Sequence, residues 1–216
     1  MIKKTFYLTF TLAFISIFAQ KKISKDENGK HITEAEFQSR WRDDNLNFFR
    51  WDYMEKGKRI CTLKDGQVSN PELNYESTLK VLESKLDIVF TRNAIVVLNF
   101  WYYNDICSSI RDDNWPSSEL REVKEHNEEY LMNIRKALRK NKQDLYVFYI
   151  FEKGSKVKKK KSDYFKSFIE DSDDFFREKY FKEQAMCGSN LIITPSGNLL
   201  YNGEAILGGL LERVIN

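Results

Sequence analysis

The chain runs to 216 residues, 42% apolar and 14% aromatic, which suffices for one well-formed core and excludes a disordered or low-complexity protein. Its 35 basic and 32 acidic residues leave a formal charge of +3, so there is no electrostatic case for a nucleic-acid partner. The three cysteines are an odd number, so at most one internal disulfide forms and one thiol is left over.

Met1-Ile2-Lys3-Lys4 followed by the apolar run Thr5 to Ala19 reads as a secretory signal peptide over residues 1–19. The alternative is an uncleaved anchor, although the run is short for a bilayer span. Cleavage after Ala19 leaves Gln20 at the new terminus and no cysteine there for a lipid. It lowers the charge to +1, from 33 basic against 32 acidic residues. The expected location is the periplasm or the extracellular space, with no integral membrane segment after cleavage. In such a compartment disulfides persist.

Residues 20–70 read as a polar amino-terminal extension. Asp26-Glu27-Asn28-Gly29 is a turn that lacks the alternating ligands and final Glu of a calcium loop. Thr33 to Trp41 is a short helix with Thr33 as cap and Glu36 three residues on. Phe48 to Tyr53 and Arg59 to Leu63, around Glu55-Lys56-Gly57-Lys58, predict a hairpin. Asp65-Gly66 is a further turn.

From Pro71 a second segment begins. Tyr75, Leu79, Leu82 and Leu86 predict a helix over 74–86, capped by Asn74 or Ser77. Ile88-Val89-Phe90 predicts a short edge strand. Ala94-Ile95-Val96-Val97-Leu98 is apolar without alternation, as in a strand buried on both faces of a parallel sheet. Beyond it, a polar loop around Asn104 and Cys107 lies where open α/β sheets place ligands. Arg111 to Pro116 reads as loop.

A long helix follows from Ser117 or Ser118, with Leu120, Val123, Tyr130, Leu131, Ile134 and Leu138 as its apolar stripe. Its acidic beginning and basic end complement the helix dipole. Asp144 to Phe151 is a second buried strand, parallel to the first. Lys153, Lys156 and Lys158 to Lys161 could mark an anionic-lipid or polyanion site, but read as a solvated loop before an acidic helical face. Tyr164 to Phe181 reads as that helix, its phenylalanines packing in the core. Asn190 to Thr194 and Asn198 to Gly203 form a hairpin around Pro195-Ser196-Gly197, and Ala205 to Ile215 a closing helix.

The order strand, helix, strand, helix, strand, strand, helix resembles the thioredoxin fold. Val97-Leu98-Asn99-Phe100-Trp101 and Leu191-Ile192-Ile193-Thr194-Pro195-Ser196-Gly197-Asn198-Leu199-Leu200 are similar to strands of exported thioredoxin-like proteins of the TlpA and redoxin type. The resemblance implies a three-layer α/β/α sandwich with a mixed sheet, β-α-β-α-β-β-α, over 71–216 with its core at 94–216. The family's Cys-x-x-Cys is absent: Asp105 stands at its first position and Ser108 at its second, with Cys107 off register. Gly188 or a neighbour replaces the family's cis-proline.

In that fold the loops bearing Cys107 and Cys187 are neighbours. The two therefore form a redox or structural pair closing an 81-residue loop, worth about 4–5 kcal/mol, or are two unrelated cysteines. Trp101, Asp105 and Gly188 are the implied substrate-binding positions. Cys61 reads as a small buried apolar residue. No cofactor and no metal site is expected, since His31 and His126 stand apart from any ligand cluster.

The expected function is that of an exported binding module with a protein partner and no dithiol oxidoreductase activity. The alternative is a diverged thiol-disulfide oxidoreductase or redox sensor using Cys107 with Cys187.

Overall fold

The structure, a computed structural model, describes residues 22–43, 45, 46, 48–65, 74–105, 113–202 and 211. The leader expected over 1–19, the turn expected at Gly66, Cys107 and most of the helix expected over Ala205–Ile215 lie outside them.

Strand β4 (Ile95–Trp101) lies at the centre of a five-stranded mixed sheet. It runs parallel to β6 (Leu145–Glu152) and antiparallel to β9 (Ser189–Thr194), with Val96 opposite Ile193 and Asn99 opposite Asn190. Outside these lie β8 (Phe168–Asp171), parallel to β6, and β10 (Gly197–Asn202), antiparallel to β9.

The lack of alternation in β4 has a direct cause, because both faces of the sheet are covered. Ile95 and Val97 point to a cluster with Leu120, Leu131, Ile134 and Leu138 of α3 (Ser117–Lys140), joined by Leu211. Val96, Leu98 and Phe100 point the other way, toward Leu79 and Leu82 of α2 (Tyr75–Leu86) and Phe176 of α4 (Phe175–Lys179). Each fully buried side chain of this size stabilises the fold by about 1.5–3 kcal/mol. The architecture is mixed α/β, and no described helix is long and apolar enough to cross a membrane.

The amino-terminal extension folds into a sheet of its own. β1 (Lys22–Lys25) pairs with β3 (Lys58–Asp65), which pairs with β2 (Phe48–Glu55). Lys56 and Gly57 both take positive φ, 49° and 72°, the conformation a two-residue hairpin turn demands. Helix α1 (Glu34–Trp41) begins at Thr33, whose hydroxyl accepts the Glu36 N–H, and places Phe37 against Cys61 and Leu63. Trp51 of β2 belongs to the large core, and the Met186 N–H donates to the Asp52 carbonyl at 2.7 Å, so this sheet is fastened to the main one.

Four expectations need correction. Ile88 to Phe90 is not a strand: Asp87 ends α2 in a left-handed conformation, and Val89 is 83% exposed while Phe90 packs edge-on to Tyr146. The loop expected over Arg111–Pro116 contains β5 (Asn114–Pro116), paired in parallel with β7 (Lys156–Lys158) inside the lysine run. Tyr130 lies about 100° around α3 from Leu131 and is 40% exposed, off the buried stripe.

The helix expected over Tyr164–Phe181 breaks into a 3-10 turn, β8 and the short α4. Phe168 enters one core face and Ile169 the other, a period of two hidden within an apparent helical spacing. Asp171 then ends the strand, its carboxylate accepting the Phe176 and Arg177 N–H groups.

Candidate functional site

The carboxyl end of β4 is fixed by buried polar contacts. Tyr102 is fully buried, and its hydroxyl meets the Glu183 carbonyl at 2.7 Å and Ser189 Oγ at 3.1 Å. Burial pushes its phenol well above the usual tyrosine range. Asn104 turns the chain with φ 55°, its N–H donating to Asp113 Oδ1. The turn delivers Asp105 into the interior, 3% exposed, where Oδ2 accepts the Gly188 N–H at 3.1 Å.

The segment before β9 is equally constrained. Cys187 and Gly188 both take positive φ, 63° and 87°. A Cβ on Gly188 would stand 2.5 Å from the Phe100 carbonyl oxygen, so only glycine fits against the central strand. Cys187 is disulfide-bonded, whereas Cys61 is free and buried. Burial, with Asp52 nearby, pushes the Cys61 thiol up to about 11, which makes it an unreactive packing residue.

Between this segment and the face of the β2–β3 hairpin opens a cleft of about 470 Å³. Trp51, Tyr53 and Met54 line it from β2, Thr62 and Lys64 from β3, with Asn104 and Asp105 at the end of β4. Glu183 to Met186 close the opposite wall. Lys64 lies 4.2 Å from the centre of the Trp51 ring and pairs with Glu183, joining the two walls. Beneath the hairpin, Arg50 and Arg59 both hold Asp52. Burial alone would raise the Asp52 carboxyl; the two guanidinium groups outweigh it and hold it below its usual value.

Comparison with family models, curated proteins and solved structures finds no match to the chain. Its chemistry therefore has to be read from the site itself.

Of the positions singled out in the sequence, Asp105 and Gly188 meet directly and Cys187 adjoins them, while Cys107 is outside the described residues. Trp101 turns to the opposite face of the sheet, its Nε1–H donating to Asn99 Oδ1 and its ring meeting Trp115 at 4.9 Å. His126 stacks edge-on with Tyr130, and His31 forms a β-bridge with Lys25. Among the described residues no cluster of three His, Cys, Asp or Glu could hold a metal ion.

Trp51, Tyr53, Met54 and Lys64 were not legible as site residues. Alternation along β2 shows that Trp51 and Tyr53 share a face, but not that the hairpin lies across the end of the main sheet. The cleft brings apolar and aromatic side chains (Trp51, Tyr53, Met54, Ala185, Met186) together with the charged Lys64, Asp105 and Glu183.

Proposed function

We propose that this is an exported thioredoxin-like protein that acts as a binding module for a protein partner through the cleft at the end of β4, without dithiol oxidoreductase activity. The fold part of the reading is supported by two central parallel strands followed by an antiparallel hairpin, in the order β10-β9-β4-β6.

The activity part rests on Asp105. In the family it resembles, the position five residues past Phe100 carries the attacking cysteine; here it carries a buried carboxylate that accepts the Gly188 N–H. An acceptor stands in place of a nucleophile, and dithiol exchange needs an attacking thiolate with a resolving thiol beside it.

Insulin reduction driven by a small dithiol tests this reading. The expected rate equals the protein-free rate and is unchanged in Cys107→Ser; turnover that depends on Cys107 would overturn it.

A second reading is favoured by the bonded state of Cys187. In it Cys107 and Cys187 form a redox-sensing bridge, Cys61 being free in a chain with three cysteines. Mass-based thiol counting is then expected to give one free thiol in the native protein and three after reductant. Three free thiols at the outset would remove this reading.

A further inference from the structure

Within the exposed lysine run, Lys156–Lys158 form a strand, while Lys159 to Lys161 stay in the solvated loop. Strand β7 is pinned by Val157, which packs against the α3-side core, while Lys156 and Lys158 on either side of it are exposed. Pairing with β5 sets Lys158 beside Pro116, immediately before Ser117. Two residues on, Lys160 faces Ser117, Ser118 and Arg121 across an open cavity of about 440 Å³. Arg121 lies over the Tyr164 ring, 5.8 Å from its centre.

Neighbouring cations are already engaged: Lys153 with Asp174, Lys166 with Asp163, and Lys159 with the Phe168 carbonyl. Among the described residues, Lys156, Lys158, Lys160 and Lys161 pair with no acid and are exposed. The exposed Glu122 and Glu125 on α3 bound the patch on one side.

We propose that this face docks on a membrane surface rich in anionic phospholipid. One headgroup phosphate enters the cavity between Arg121, Lys160 and the two serine hydroxyls. Lys156, Lys158 and Lys161 lie outside the cavity and meet neighbouring headgroups. This distribution is what selects the occupant, since a single free phosphate in the cavity would leave those three charges unmatched. The attachment is peripheral and electrostatic, carried by these exposed basic side chains.

Co-sedimentation of the full chain with phosphatidylcholine vesicles containing about a quarter phosphatidylglycerol tests the proposal. Binding is expected to these vesicles and not to pure phosphatidylcholine, and to vanish between about 0.1 and about 0.5 M salt. The double variant Lys158→Gln, Lys160→Gln is expected to bind about thirtyfold more weakly, with an unchanged thermal melt because both side chains are exposed. Equal binding to both vesicle types, or an unaltered affinity in the variant, would overturn the proposal. So would complete displacement by millimolar inorganic phosphate, which would mark a site for a free anion alone.

Discussion

Replacing Gly188 by alanine tests the geometry of the site more sharply than any other single change. Two penalties apply. The first is conformational: at φ 87° an L-residue costs about 1–2 kcal/mol. The second is steric, because the new methyl would lie 2.5 Å from the Phe100 carbonyl oxygen in the backbone of the central strand. That strand is bonded on both sides, so it cannot move aside without disturbing two ladders. Together they predict a loss of about 3 kcal/mol or more.

The natural control is Gly57→Ala, where φ is 72° but nothing lies within 4 Å of the added Cβ. Its expected loss is about 1 kcal/mol, the conformational part alone. Urea unfolding followed by tryptophan fluorescence separates the two. With a slope of about 2 kcal/mol per M, the Gly188 variant should unfold about 1.5 M earlier than the native protein and the Gly57 variant about 0.5 M earlier. Equal midpoints for the two variants would refute the close approach of this loop to β4.

Asp52→Asn should destabilise by about 3–5 kcal/mol, because it leaves two guanidinium groups against a neutral amide. The folded Asp52 carboxyl sits below its usual value of 3.8, so its contribution is complete above that pH and is lost as the pH falls through the folded value. Melting temperature against pH should therefore drop more steeply below about pH 4 in the native protein than in the variant. Tyr102→Phe should cost about 1–2 kcal/mol and speed amide exchange selectively over residues 183–189, since the hydroxyl holds the Glu183 carbonyl and Ser189. Uniform acceleration across the chain would contradict that local role.

The central strand, the α3 stripe and both hairpins were readable because each has one dominant local signal. β4 is apolar on both faces, α3 repeats at helical spacing, and Lys56-Gly57 and Pro195-Ser196 punctuate paired strands. Tyr164 to Phe181 misled because Phe165, Phe168 and Ile169 fit a helical spacing, while Phe168 and Ile169 enter opposite core faces as in a strand. The choice between helix and strand falls to β6, which offers a free edge to Phe168–Asp171. β5 and β7 stabilise each other across 42 residues of sequence, from Asn114 to Lys156, a pairing that no local window contains.

For the site, Asp105 and Gly188 were singled out only through the resemblance to thioredoxin-like strands, and the structure brings the two together. The hairpin wall was not, because its position depends on Trp51 burying itself in a core built by distant residues.

The most direct measurement is photo-crosslinking in the native host with a photoreactive amino acid at Met54, 40% exposed on the rim of the cleft. The control is the same probe at Val89, 83% exposed and outside the cleft lining. The account predicts one discrete protein adduct from position 54 and none from position 89; no adduct from 54, or the same pattern from both, would contradict it.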